Sequence, residues 1–349
     1  MHYTSIDIKN FRGIKSLSLE GIKQFNVLVG NNNSGKSTVL EAIFLNSGPT
    51  NSRTYNIIQN LRGINNLKSF DTIFYQTNTN KQPEFKSKFT NGTEDRSLKI
   101  SPLFKDNSIS SMSSINQDLV GVKYKFTFKK QGKSVSFEAI NKLNQEGNNL
   151  HIDIQTPKNY QESLKGVFLG GRNWDSNDFL LSLEQILVNR KKEELINSLQ
   201  LAFPEINELS PLQSIIYVGT KESNSLYPIQ IMGDGTNKYI KLILTVSANQ
   251  NSIILIDEIE NGLHHTKLSL LWEQLFKIAK ANNNQLFITT HNAEILEGLL
   301  PVMEKSPEYA DDFGLIKLNR NKDLKHTGTA FTFDEMRNLI LTDNEIRGW

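Results

Sequence analysis

The stretch FNVLVGNNNSGKSTVLEAIF, residues 25–44, restricts the fold more than any other part of the chain. It opens as a continuous apolar run, the pattern of a strand buried on both faces. It then breaks into a glycine-framed turn and resumes with helical spacing through Val39, Leu40 and Ile43. Residues 30–37 fit G-x-x-x-x-G-K-[ST], placed after a strand and opening a helix, where that pattern has a mechanism. Such a turn aims successive backbone N–H groups inward, and the helix start adds positive potential, so the loop suits a polyphosphate. Lys36 would reach the β- and γ-phosphates, Ser37 would offer its hydroxyl to Mg²⁺, and Gly35 would let the backbone come close. Asn31, Asn32, Asn33, Ser34 and Thr38 complete the loop; the asparagines tolerate a tight, partly left-handed turn. An ordinary polar turn before a helix is the plain alternative, and the strand–loop–helix context weighs against it.

A polyphosphate needs a metal and a base, and two later segments offer them. SIILIDEIENGLHH, residues 252–265, is an apolar strand ending in Asp257 and Glu258. The spacing puts Asp257 at the sheet edge, able to hold the metal through its waters, and lets Glu258 polarise an attacking water. QLFITTHN, residues 285–292, is a second apolar strand, so His291 emerges at the same edge and can hydrogen-bond a γ-phosphate oxygen. A zinc reading of His264, His265 and His291 is set aside, because no thiolate supports it.

The C-terminal third alternates strand and helix, which argues for a parallel sheet covered by helices. Residues 3–20 read as a hairpin, as do residues 121–140 around a Gln131–Gly132 turn, and HIDIQ adds a strand. Residues 77–114 are polar and predict few elements. Residues 176–202 read as helical, SIIYV and PIQIM as strands, and a helix starts near Thr236. The last forty residues predict two short strands and a closing helix. The 349 residues carry net charge +2 and no cysteine. That balance imposes no basic field, and it excludes disulfide scaffolds and thiolate metal sites. With no signal peptide and no apolar stretch near the ~18 residues of a span, a soluble cytoplasmic protein is expected.

The order of these motifs resembles ABC-type ATPase heads of the SMC, RecF and OLD (overcoming lysogenization defect) class. It is most similar to the stand-alone AAA-labelled ATPases of prokaryotic phage-defence operons. The matching residues are NFRGI (10–14), GNNNSGKST (30–38), MGDGTNKYIKL (232–242), LIDEIENGLHH (255–265), TTHN (289–292) and NEIR (344–347). The resemblance implies an α/β fold: a split P-loop ATPase head, its mixed sheet flanked by helices, with an antiparallel β subdomain and a helical insertion. The whole chain, 1–349, is then one head, with the phosphate loop in 1–76, hairpins and helices in 77–230, and the remaining motifs in 231–349. ATP and Mg²⁺ are the implied ligands. Gly233, Asp234, Gly235 and Thr236 correspond to a signature segment that binds the γ-phosphate held by a second copy, which implies a homodimer or higher homo-oligomer. Asn261 and Gly262 would touch that partner. Arg12 resembles an arginine near the nucleotide, and Gln76 is the candidate magnesium-sensing glutamine. Lys238 stands where relatives often carry arginine, which puts a fork-like contact there in doubt. The chain ends after the head, and YADDFG (309–314) lacks further carboxylates, so a separate effector of nuclease or Toprim type is expected. A RecF-like head acting directly on DNA is the alternative, and a non-hydrolysing scaffold is disfavoured by Glu258 and His291.

Overall fold

The computed structural model describes the chain apart from residues 50, 52, 65, 67, 68, 93, 106–117, 131, 132, 147, 148, 171–175, 261 and 342–349. The first elements are β1 (Tyr3–Phe11), β2 (Ile14–Glu20), β3 (Phe25–Val29), α1 (Lys36–Ser47) and α2 (Arg53–Leu61). Then come β4 (Glu84–Phe89), β5 (Glu94–Phe104), β6 (Leu119–Lys130), β7 (Lys133–Glu146), β8 (Asn149–Gln155) and β9 (Lys165–Leu169). Helices α3 (Ser176–Val188) and α4 (Lys192–Gln200) lead to β10 (Ile206–Leu212), β11 (Ile215–Thr220) and β12 (Tyr227–Pro228). The chain continues with α5 (Asp234–Ala248), β13 (Ser252–Ile256), α6 (Leu268–Ala281), β14 (Gln285–Thr289), α7 (Ala293–Glu297) and α8 (Leu300–Lys305). It closes with β15 (Phe313–Arg320), β16 (His326–Phe331) and α9 (Phe333–Leu341).

The chain divides into two units. The first comprises Met1–Ile22, Gly30–Gly166 and Ile316–Ala330. Its centre is a seven-stranded antiparallel sheet of order β2-β1-β4-β5-β6-β7-β8. The alternation in residues 3–20 places Ile6 opposite Leu19 and Ile8 opposite Leu17, all four buried. Val122, Tyr124, Phe126 and Phe128 share the buried face of β6 as their spacing predicts. Strands β4 and β5 correct the expectation of few elements in 77–114. Phe85, Phe89, Leu98 and Ile100 are buried at period-two spacing, and the lysines and serines between them mask that pattern in composition.

The second unit comprises Lys23–Val29, Val167–Leu315 and the chain from Phe331 onward. Its centre is β3, β14 and β13, parallel neighbours within a six-stranded sheet of order β16-β15-β3-β14-β13-β9. Every residue of these three strands is buried. The polar ones among them are satisfied locally, as burial demands. Asn26 Nδ2 donates to Lys23 O at 2.7 Å and to Leu286 O at 3.0 Å, and its Oδ1 accepts from Lys23 N at 2.8 Å. Helices α5 and α6 supply the core with Tyr239, Ile243, Trp272 and Phe276, and Phe25 packs on Phe276 at 4.5 Å between ring centroids. The predicted helix over 176–202 is two helices, because Arg190 takes φ 57° between them. Of PIQIM only Pro228 lies in a strand, pairing with Tyr217 at the end of β12, and Ile229–Ile231 form a 3₁₀ turn. The Gln131–Gly132 turn and NEIR lie outside the described residues. No helix among the described residues is long and apolar enough to cross a membrane.

Asn26→Leu removes the partner of one amide and two carbonyls while keeping the γ-branched shape. The expected loss is about 1–3 kcal/mol, read as a lower urea midpoint for unfolding.

Candidate functional site

Two clusters, one in each unit, contain the residues that the sequence singles out. In the first unit the chain leaves β3 at Gly30, whose Cα approaches Leu318 so closely that an added Cβ would lie 2.2 Å from that carbonyl oxygen. Only glycine fits there. Asn31, Asn32 and Asn33 are exposed, and of the three only Asn33 turns left-handed, at φ 66°. Ser34 N closes the turn on Asn31 O at 3.1 Å. Its hydroxyl is buried and lacks a hydrogen-bond partner among the described residues. Gly35 is the N-cap of α1 at φ 98° and supplies no side-chain cap. Lys36 folds back over the loop, its Nζ donating to Gly30 O at 2.7 Å and Asn31 O at 3.3 Å. Ser37 and Thr38 are half-buried on the first turn.

Glu41, one turn further along α1, is buried between two guanidinium groups. Arg12 Nε lies 2.8 Å from Oε2 and Arg62 Nε 2.6 Å from Oε1. Arg12 also donates to Gln59 Oε1 at 3.1 Å, and Arg62 to Thr38 Oγ1 at 3.4 Å. Burial draws the Arg12 guanidinium below its ordinary value, with Glu41 opposing. Arg12 is thus committed to α1 and α2. The sequence signal for this cluster is an acid inside the otherwise apolar run VLEAIF. Gln76 is exposed at φ 52°, its N–H donating to Arg12 O at 3.0 Å.

In the second unit Asp257 and Glu258 follow β13, and Thr290 and His291 follow β14. Thr289 ties the two strand ends together. Its hydroxyl donates to Asp257 Oδ1 at 2.6 Å and accepts from Glu258 N at 2.8 Å. Ile259 N then donates to Thr289 O at 3.1 Å. Between these bonds Glu258 takes φ 53°, a left-handed conformation that costs a non-glycine residue about 1 kcal/mol or more. Lys238 of α5 adds a third tether, donating from Nζ to Glu258 O at 2.8 Å. Burial lowers the Lys238 ammonium to about 8, against Glu260, Glu258 and Asp257, which favour its charge. His291 is half exposed. Its Nδ1 lies 2.6 Å from Glu260 Oε1, and its backbone N donates to the same oxygen at 2.9 Å. Thr289, Glu260 and the Lys238 contact are invisible in the sequence reading; only the acid two places after Glu258 hints at one of them.

Helix α5 starts at Asp234, two residues earlier than predicted, with Gly233 as its cap. Gly233 and Asp234 are exposed, and Gly235 and Thr236 are half-buried. Gly235 packs against the turn after the acids: an added Cβ would lie 2.5 Å from Gly262 O. Gly262 itself has φ 78°, and Asn261 lies outside the described residues. Among the described residues no three His, Asp or Glu side chains gather into a metal cage.

A strand feeding a glycine-framed loop and helix, with acids and a histidine at the ends of neighbouring parallel strands, is the architecture of an ABC-type ATPase head of the SMC and RecF class. The same fold occurs in an Smc head solved in complex with the C-winged helix domain of ScpA, with TM-score 0.53 at 12% identity over 97% of this chain and 100% of that one. Residues 25–297 match the family described as "AAA domain, putative AbiEii toxin, Type IV TA system", and the chain belongs to that family. An "ATP/GTP phosphatase" of Helicobacter pylori is 25% identical over 338 residues, 86% of this chain and 88% of that protein. The DNA replication and repair protein RecF of Nitrosococcus oceani is 41% identical over 69 residues, 20% of this chain and 19% of that protein. The chain is therefore an ATPase of the SMC/RecF-like class, as its motifs predict.

Thr289→Val keeps the shape of β14 and removes the hydroxyl that holds Asp257 and Glu258. ATP turnover, followed by phosphate release, should fall about 10- to 100-fold, and Thr289→Ser should retain most of it.

Proposed function

We propose that this chain binds and hydrolyses Mg²⁺-ATP, pairs with a second copy around the nucleotide, and thereby controls a separate effector in anti-phage defence. The observation that carries the reading is the register of three buried strands. Leu28 pairs with Thr289, Ile288 pairs with Ile256, and Thr290 N donates to Leu28 O at 3.1 Å. The strands before Gly30, Asp257 and His291 therefore end level with one another, and the phosphate loop begins one residue beyond Val29. Ligands of open α/β sheets favour the carboxyl ends of the strands.

The residues fit the ligands they are asked to hold. The Gly30 cradle has no room for a Cβ, the Ser34 hydroxyl is buried without a hydrogen-bond partner among the described residues, and Gly35 gives α1 no side-chain cap, as suits a phosphate site. Ser37 and Asp257 offer the oxygen donors that Mg²⁺ prefers, and the ion would neutralise charge on the β- and γ-phosphates. Lys36 exchanges its loop carbonyls for phosphate oxygens. Glu258 accepts a proton from water as the water oxygen attacks the γ-phosphorus and the bond to the bridging β–γ oxygen breaks, giving ADP and phosphate. His291 hydrogen-bonds a γ-phosphate oxygen and holds the water in line. The Asp234–Thr236 start of α5 serves the γ-phosphate of the second copy, with two equivalent sites related by a two-fold axis. Resemblance to phage-defence ATPases supports the effector, of nuclease or Toprim type, and a cytoplasmic setting.

The RecF similarity favours a second reading, a head that contacts DNA itself. Salt-dependent retention on duplex DNA with and without ATP separates the two.

Lys36→Ala should lose ATP affinity by at least about tenfold in calorimetric titration. Unchanged affinity would remove Lys36 from the phosphate site. Glu258→Gln should bind ATP, turn it over about a hundredfold more slowly and elute as a dimer with ATP by light scattering. Wild-type turnover in that variant would remove Glu258 as the base.

A further inference from the structure

The seven-stranded sheet of the first unit ends on β8, and among the described residues no strand pairs with the outer edge of β8. A strand edge presents a row of unpaired N–H and C=O groups that another extended chain can take up, so folded proteins usually blunt it. The opposite edge is blunted: β2, IKSLSLE, carries Lys15 and Glu20, both exposed. Strand β8, NLHIDIQ, has none of the usual devices. It is seven residues long, contains no lysine, arginine or proline, and pairs with β7 from Asn149 to Gln155 without a register shift. Its sequence is also symmetric about Ile152. In either direction the strand meets His or Asp, then Leu or Ile, then Asn or Gln.

We propose that β8 is a self-complementary edge through which two copies of this chain pair antiparallel about Ile152, joining their seven-stranded sheets into one. That centre sets Ile152 opposite itself, His151 opposite Asp153, Leu150 opposite Ile154 and Asn149 opposite Gln155, each pair repeated by the two-fold axis. Directly opposed residues share a face. The aliphatic row lies on the face of Leu143, which pairs with Ile152 within the chain, and Ile154 in that row is 40% exposed. On the other face Lys142 pairs with Asp153 and Asn144 with His151. Across the axis each Asp153 is therefore flanked by Lys142 of its own copy and His151 of the other. His151 already reaches Asp153 along its own strand, Nε2 to Oδ1 at 3.1 Å. Moving the centre to Asp153 would oppose two acids, and moving it to either side shortens the ladder, so the side chains fix the register. Strand addition of this kind takes its affinity from main-chain hydrogen bonds. The contact needs no nucleotide and uses neither the phosphate loop nor the start of α5, so it stands or falls apart from the ATP-dependent pairing above. Its small area suits a dissociation constant on the order of 10–100 µM, which releases on the dilution of a sizing column.

The chain has no cysteine, so single introduced thiols report the register. Opposed Cα atoms of an antiparallel pair lie about 4.5–5.5 Å apart, within disulfide reach. In the nucleotide-free chain Ile152→Cys should therefore cross-link to itself under mild oxidation, and a mixture of His151→Cys with Asp153→Cys should cross-link as well. Either of those two alone, with Cα atoms about 8 Å apart across the axis, should not. In sedimentation equilibrium without ATP at about 100 µM the unaltered chain should be largely dimeric. His151→Glu sets an acid opposite Asp153 at an exposed position and should weaken the dimer about fivefold or more, while His151→Lys should hold or tighten it. A monomer at that concentration would overturn the proposal, and so would a dimer that forms no cross-link at position 152. Should ATP neither bind nor turn over, the ATPase reading fails, while the cross-links still decide whether β8 pairs with itself.

Discussion

Alignment of β3, β14 and β13 is the constraint on which the remaining chemistry depends. Each strand is buried throughout, so a slip of one residue would drive polar groups into the wrong packing layer and is strongly disfavoured. Asn26 adds a local lock, bridging Lys23 and Leu286 from inside the sheet. With the register held, the lengths of the strands alone decide which residues leave the sheet at its carboxyl edge. Asp257, Glu258 and His291 are there because β13 and β14 stop where they do.

The edge is then refined by contacts between neighbouring strand ends. Thr289 is both donor to Asp257 and acceptor for Glu258, so one hydroxyl sets the spacing of the two acids. Lys238 grips the Glu258 carbonyl from α5, and Gly235 of the same helix packs against Gly262 in the turn beyond the acids. The start of α5 and the backbone of Glu258 are therefore mechanically joined within one unit. The left-handed φ at Glu258 is sustained by these tethers rather than by its own preference.

Much of this could be read in the residues, for identifiable reasons. Continuous apolar runs ending in a glycine loop, in Asp257–Glu258 and in Thr290–His291 are strong signals because burial on both faces leaves no room for another pattern. The exposed start of α5 was legible from its glycines, to within two residues. What escaped depends on partners far apart in the chain. Nothing local marks Thr289 as a bridge across 32 residues to Asp257, or Arg12 as the partner of Glu41. Composition misled at β4 and β5, where frequent serine and lysine hide an alternating buried face. It misled again in PIQIM, where the ladder stops at Pro228 and the isoleucines after it form a 3₁₀ turn. Arg12, which the resemblance puts near the nucleotide, also has its guanidinium beside the buried Glu41 carboxylate, a pairing that no local pattern announces.

The interleaving of the two units has a consequence for biosynthesis. Strand β3 is made almost at the beginning, yet its neighbour β14 emerges about 260 residues later, the separation spanned by the Asn26–Leu286 hydrogen bond. At about 5–20 residues per second on the ribosome, a nascent chain waits many seconds with five residues of β3 unsheltered. Contacts of such long range also slow the search for the native topology. Truncated or stalled polypeptides of this protein should consequently be clients for holding chaperones, and fragments cut within 167–315 should not assemble the central sheet by themselves.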